Sequence, residues 1–216
     1  MPDGCQAGRR AVTRSTLAIT CHRFHFSLSL SFTSHNLPIM AEMDEHISYM
    51  RLALSLARKS PPKPTNFCVG AVLLTPSPDS PTAPPTVTKG YTLELPGNTH
   101  AEQCCFLKLN APDTPLPSDS ILYTTMEPCN KRSPGNMPCV DRILELKDAE
   151  GKQAIETVYV GVLEPETFVG VNEGRRRLED AGIQVVKVEE EGFEEEILRV
   201  AKAGHMKKAE EEEGDG

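Results

Sequence analysis

The sequence predicts an α/β fold, a three-layer α/β/α sandwich around a mixed five-stranded sheet. Short apolar runs of strand length alternate with helical periodicity across residues 41–188, the pattern of a sheet covered on both faces. The first two strand-like runs are joined by a loop alone, which makes an antiparallel hairpin. Later strands are separated by helices, which makes parallel crossovers. With 216 residues, 38% hydrophobic and 25% charged, the chain is long enough for one core of ordinary size plus extensions.

The elements follow in order. Glu42 to Lys59 places Ile47, Met50, Leu54 and Ala57 at helical spacing and stops at Ser60-Pro61-Pro62. Phe67 to Leu74 is an unbroken apolar run, a buried strand. Thr75 to Pro85 holds five prolines and reads as a surface loop. Thr86 to Leu93 is the second strand. His100 to Leu109 is a helix after the turn-like Pro96-Gly97-Asn98-Thr99. Ile121 to Met126 is a strand, Pro138 to Leu146 a helix, and Thr157 to Leu163 a strand. Glu173 to Ala181 is a helix ended by Gly182, and Ile183 to Val188 is the last strand.

The two ends differ from this body. Residues 1–40 hold four Arg, nine Ser+Thr and one acid, the composition of an organelle transit peptide. The alternative is an upstream extension, with translation starting at Met40 or Met43. Residues 189–216 carry 4 basic and 11 acidic residues and read as a solubilising acidic tail. Within it, Phe193, Ile197, Leu198 and Val200 have the spacing of a short helix.

The net charge is −8, and residues 41–188 contribute 15 basic against 19 acidic residues. An acidic body lacks the basic face that nucleic-acid binding requires. No apolar run approaches the roughly 18 residues that span a bilayer. No nucleic-acid or membrane partner is therefore expected. Seven Cys, an odd number at irregular spacing, do not make a disulfide framework. They fit a reducing compartment and metal or catalytic thiols, so a cytoplasmic location is expected, or a mitochondrial one if residues 1–40 are a transit peptide.

Chemistry concentrates in two segments: His100-Ala101-Glu102 at a helix start, and Pro128-Cys129, nine residues, then Cys139. One His and two Cys can hold Zn²⁺ by three side chains and leave a position for water. Glu102, two residues from His100, is placed to move protons rather than to ligate. Cys104 and Cys105 compete as ligands but lie inside the helix, where one faces the core, so ligation is not expected of them; Cys68 reads as a core thiol, and Arg175-Arg176-Arg177 as a solvated helix face.

These motifs resemble the cytidine deaminase superfamily, and within it the fungal pyrimidine deaminases of riboflavin biosynthesis. The resemblance runs from about Asp44 to Val188. It rests on Asn66-Phe67-Cys68-Val69-Gly70-Ala71-Val72, Gly97-Asn98-Thr99-His100-Ala101-Glu102, Leu122-Tyr123-Thr124-Thr125-Met126-Glu127-Pro128-Cys129 and Gly135-Asn136-Met137-Pro138-Cys139-Val140. The segment from Glu173 to Ile183 and the long Cys-x9-Cys loop point to the riboflavin branch. Asn130 departs from the His that bacterial members carry after the first Cys. The chain has no room for the reductase or the synthase fused to some relatives, so a stand-alone deaminase is expected.

The resemblance implies a cytidine-deaminase-like fold, Zn²⁺ held by His100, Cys129 and Cys139, and Glu102 as the catalytic acid and base. It implies hydrolytic deamination of 2,5-diamino-6-(ribitylamino)pyrimidin-4-one 5′-phosphate, or of its ribosylamino form, and a homo-oligomer, expected to be a dimer. Asn66 matches the superfamily's base-binding Asn, although a plain turn residue has the same sequence signature. The Ala101 N–H is expected to face the ring. Lys131 and Arg132 are candidates for the substrate phosphate, or else an exposed solubilising pair. Asn98 and Asn136 are further polar candidates. Deamination of cytidine, cytosine or tRNA adenosine on the same scaffold remains the alternative enzyme reading. A zinc-stabilised binding module without catalysis is the alternative from another class.

Overall fold

The computed structural model describes residues 37–205 apart from 78, 79, 81, 112 and 164–172, with side chains from residue 43 onward. The elements are α1 (Leu37–Ala57), β1 (Gly70–Thr75), β2 (Thr86–Tyr91), α2 (Ala101–Lys108), β3 (Ser120–Met126), α3 (Cys139–Glu145), β4 (Ile155–Val162), α4 (Glu173–Asp180), β5 (Gln184–Lys187) and α5 (Phe193–Ala201). The five strands form one sheet in the order β2-β1-β3-β4-β5. β1 is antiparallel to β2 and to β3, and β3, β4 and β5 run parallel. The expected hairpin and the parallel crossovers are both present.

Each strand sends alternate side chains to opposite faces, and helices cover both. Ala71, Leu73, Leu122, Val158 and Val160 pack with Phe106 of α2, Ile143 of α3 and Leu178 of α4. Val72, Leu74, Tyr123 and Val162 pack with Met50, Leu54 and Ala57 of α1 and with Phe193 and Ile197 of α5. This is the predicted three-layer arrangement. All six residues of β1 are buried, which is why that strand reads as an unbroken apolar run. β5, at one edge, alternates between exposed and half-buried residues.

Element boundaries differ in instructive ways. β1 starts at Gly70, three residues later than the apolar run, because the N–H groups before it are diverted: Val69 N–H donates to Thr92 Oγ1 at 3.1 Å and Cys68 N–H to Ala201 O at 2.9 Å. β2 stops at Tyr91 because Leu93 turns the chain with φ of 63°. α1 begins at Leu37, inside the segment set aside as an extension; the rest of residues 1–40 lies outside the described part.

The boundary expected at Val188 falls inside the fold. α5 forms where the short helix was expected, but it is core rather than tail: Phe193 is 2% exposed, Ile197 1% and Ala201 0%. This helix and the residues before it are tied to α1 and the turn that follows it, with Glu190 paired to Arg51 and Glu196 to Arg58 at 2.5 Å. The Glu210 to Glu213 block lies outside the described residues. Among the described residues, no helix is long and apolar enough to cross a membrane.

Candidate active site

A cavity of about 340 Å³ opens just past the carboxyl end of β3, where open α/β sheets usually place their ligands. His100, Glu102 and Cys129 stand on its wall, with Asn66, Asn98 and Lys131 around them.

Local structure explains each position. His100 is the N-cap of α2, with extended backbone, and its N–H donates to Gln103 Oε1 at 3.4 Å. The start of α2 lies hard against β2 because Gly90 has no side chain. A Cβ there would stand 2.2 Å from Ala101 O and 2.9 Å from Cys105 Sγ. Cys129 follows β3 by three residues, and Cys139 opens α3 behind its N-cap Pro138. Val140 N–H donates to Cys129 O at 3.2 Å and joins the two ends of the intervening loop.

His100, Cys129 and Cys139 each offer one ligand atom, and these atoms lie within 4.8 Å of one another. Both sulfurs stand 3.4 Å from His100 Nδ1, so that nitrogen faces the pair. Cys129 is pulled down to about 4, first by the hydrogen bond from the Cys139 thiol and, against burial, by His100. The Cys139 thiol is correspondingly pushed up, because it donates to Cys129 and is buried. An imidazole nitrogen with two sulfurs, one already a thiolate, is a donor set that suits Zn²⁺ and leaves a fourth position free.

Glu102 lies beside this trio, 3% exposed. Cys139 Sγ lies 3.4 Å from its Oε2, and Thr124 Oγ1, which donates to Met126 O at 2.9 Å, lies 3.4 Å from its Oε1. Burial raises its carboxyl above the usual range, and the opposite charge of His100 works against that rise.

The other candidates divide. Asn66 lines the cavity, accepts from Thr65 Oγ1 at 2.7 Å and donates to Asn98 Oδ1 at 2.7 Å. Ala101 is fully buried at the start of α2. Lys131 lines the cavity and is exposed. Arg132 also lines it, but its guanidinium is engaged with protein, bonding Gln103 Oε1 at 3.2 Å, Met137 O at 3.4 Å and Asn98 O. Asn136 is exposed, bonds Ser133 Oγ at 3.2 Å and is not on the cavity wall. Cys104 and Cys105 point away from the trio, donating to Tyr91 O and to Ala71 O and Thr88 O respectively.

Two features went unread in the sequence. Thr124 stands beside Glu102; strand alternation puts it on the face of Leu122, towards α2, and was the signal for it. The arginine run of α4 is not simply a solvated face. Arg175 Nε pairs with buried Glu127 at 3.2 Å, and Arg177 bonds Asn130 Oδ1 at 2.8 Å and Asp141 Oδ1 at 2.5 Å. Only Arg176, with its side chain 75% exposed, fits the solvated reading. Isolated positive charges carry no periodic signal of their partners, so these contacts needed the tertiary structure.

The model of the cytidine and deoxycytidylate deaminase zinc-binding region matches residues 43–152, the stretch that carries the trio and Glu102. The chain belongs to this family. It therefore carries that family's zinc-binding region, and the family match joins the observed trio in assigning Zn²⁺ as its metal. The chain is 40% identical over 167 residues to the diaminohydroxyphosphoribosylamino-pyrimidine deaminase of Schizosaccharomyces pombe. That match covers 76% of this chain, which spans only 36% of that relative's length. Rib2 deaminase of Aspergillus oryzae, in a crystal structure at pH 4.6, superposes with a TM-score of 0.62 at 47% identity, covering 77% of this chain and 95% of the other. The same Aspergillus enzyme solved in complex with DARIPP matches with a TM-score of 0.61 at 43% identity, covering 76% of this chain and 94% of that one.

Proposed function

We propose that the protein deaminates a 2,5-diamino-6-(ribitylamino)pyrimidin-4-one 5′-phosphate, or its ribosylamino form, by hydrolysis. The observation that carries this is the position of Glu102: a buried carboxylate on the cavity wall, touching a ligand thiol but outside the ligand trio. A structural zinc site has no use for such a group, whereas hydrolysis at an amidine carbon needs one. The likeness to a deaminase solved with DARIPP supports the phosphorylated pyrimidine as substrate.

Zinc, held by His100, Cys129 and Cys139, supplies the Lewis acidity that activates water near neutral pH. The chain's own groups do the rest. Glu102 takes a proton from the attacking water as its oxygen bonds to C2 of the ring. It returns that proton to the adjacent ring nitrogen. A second transfer through the same carboxylate carries the remaining hydroxyl proton to the exocyclic amine, the bond from C2 to that amine breaks and ammonia leaves, giving the 2-oxo product. Thr124 Oγ1, 3.4 Å from Oε1, is the polar neighbour of that carboxylate on β3. Asn66, held between Thr65 and Asn98, presents its amide to the pyrimidine edge. Lys131, at the rim, meets the phosphate.

Ammonia release from the phosphorylated pyrimidinone, compared with cytidine, cytosine and tRNA, tests the substrate. Release from cytidine or tRNA with none from the pyrimidinone overturns the proposal. Glu102→Gln is expected to keep fold and zinc and to lower kcat by about 10²–10⁴-fold; a variant that turns over normally removes the mechanism.

A further inference from the structure

We infer that Arg177 is a positioning residue that holds the two cysteine ligands at their working separation. The inference rests on the zinc reading above. Cys129 and Cys139 flank a nine-residue loop that includes Ser133-Pro134-Gly135. Gly135 has a left-handed backbone, φ of 85°, and residues 133–136 are exposed. The loop's brace from Arg132 Nη1 to Met137 O is long at 3.4 Å and reaches neither cysteine, so the ends depend on further ties. Arg177 projects from α4, an element outside the loop, and spans its base. Nη1 donates to Asn130 Oδ1 at 2.8 Å, one residue after Cys129. Nη2 donates to Asp141 Oδ1 at 2.5 Å, two residues after Cys139. A planar guanidinium is rigid between its two nitrogens, so it fixes the distance between those partners as a Lys cannot. Beyond this clasp, the loop base is joined by the Val140 N–H to Cys129 O bond and the Cys139 N–H contact to Cys129 Sγ.

The pair with Asp141 is only partly buried, the side chains being 40% and 34% exposed. As a salt bridge on the surface it contributes little to stability. Its effect falls instead on the geometry of the ligands, where outlying partners typically govern metal affinity by roughly 10- to 100-fold.

The test measures the rate of zinc release to a chelator and the visible spectrum of the Co²⁺-substituted protein, with thermal unfolding of the metal-free forms as the control for folding. Arg177→Ala is expected to release zinc at least about tenfold faster, to shift the Co²⁺ bands and to leave the metal-free melting temperature near that of the wild type. Arg177→Lys is expected to recover only part of the loss. Arg176→Ala, on the same helix, is expected to change nothing. Asn130→Ala and Asp141→Asn each cut one end of the clasp and carry the same readout if Arg177→Ala does not fold. In the Arg177→Ala background, Asn130→Ala is expected to add no further effect. Release rates and Co²⁺ spectra within twofold of wild type overturn the clasp and leave the zinc site standing. A wild-type protein that binds no zinc overturns both.

Discussion

The cysteines among the described residues are sorted by what surrounds each sulfur. Cys129 meets His100 and the Cys139 thiol and N–H, and is held as a thiolate. Cys105 meets the carbonyls of Ala71 and Thr88, and burial pushes its thiol well up. The thiolate is the reactive form, so chelation followed by a thiol alkylating agent is expected to label Cys129 first and to spare Cys105 in the folded protein. Peptide mass spectrometry reads this; early labelling of Cys105 contradicts the arrangement. Cys129→Ala is expected to lose zinc, while Cys105→Ala keeps it at a cost of about 0.5–3 kcal/mol of stability, measurable by denaturant unfolding. A second residue carries a pH dependence. Desolvation tends to raise the Asp148 carboxyl, but the N–H groups of Lys152 and Glu150 and the Ser118 hydroxyl outweigh it and lower it overall. A carboxyl lowered by folding adds stability above its unfolded value of about 3.9 and loses it as pH falls through the folded value. Asp148→Asn is therefore expected to weaken the protein near neutrality and to flatten the decline of its melting temperature below pH 4. A variant that declines as steeply as wild type refutes this.

At the scale of elements, the close seating of α2 on β2 sets where His100 and Glu102 stand. Gly90→Ala places a methyl against the Ala101 carbonyl, which is backbone and cannot rotate away. The helix start must move, at a cost of about 1–3 kcal/mol, and zinc content and activity are expected to fall with it. Full zinc occupancy in that variant contradicts this account of the helix position. The same element illustrates what the sequence could reveal. His100-Ala101-Glu102 after a turn announced a helix start, and the strand before Glu127-Pro128-Cys129 announced the opposite wall, because both signals are local. The proximity of Gly90 to α2 had no local signal: a glycine in a strand reads alike whether a helix or solvent lies above it. Arg132 shows the same limit, since a basic pair on a loop cannot announce that one guanidinium will bind Gln103, Asn98 and Met137.

Over the whole molecule, the C-terminal helix connects the far layer of the sandwich to the cavity. Phe193 and Ile197 are core residues of α1's face, so Phe193→Ala is expected to cost about 3–5 kcal/mol without any direct contact with the site. The end of the same segment reaches the cavity wall. Ala201 O accepts from Cys68 N–H at 2.9 Å, and His205 stacks on Phe67 with ring centroids 4.6 Å apart. Gly204 lies against the backbone of Lys63, where a Cβ would stand 2.3 Å from Lys63 O. Residues 63–68 thus take their position from the chain terminus, and Asn66 and Phe67, both on the cavity wall, move with them. Zinc and Glu102 are held by α2, α3 and the end of β3, whereas the contacts of residues 201–205 described above fall on residues 63–68. A disturbance at Gly204 therefore acts on substrate placement more than on the chemical step. Gly204→Ala is expected to raise KM for the phosphorylated pyrimidinone by about tenfold, the effect of losing roughly 1.4 kcal/mol of binding, while zinc content stays at the wild-type value and kcat changes less than KM. Steady-state kinetics with metal analysis decides the matter: a fall in kcat with KM unchanged, or a loss of zinc, means that the terminus supports the catalytic trio rather than the wall that carries Asn66.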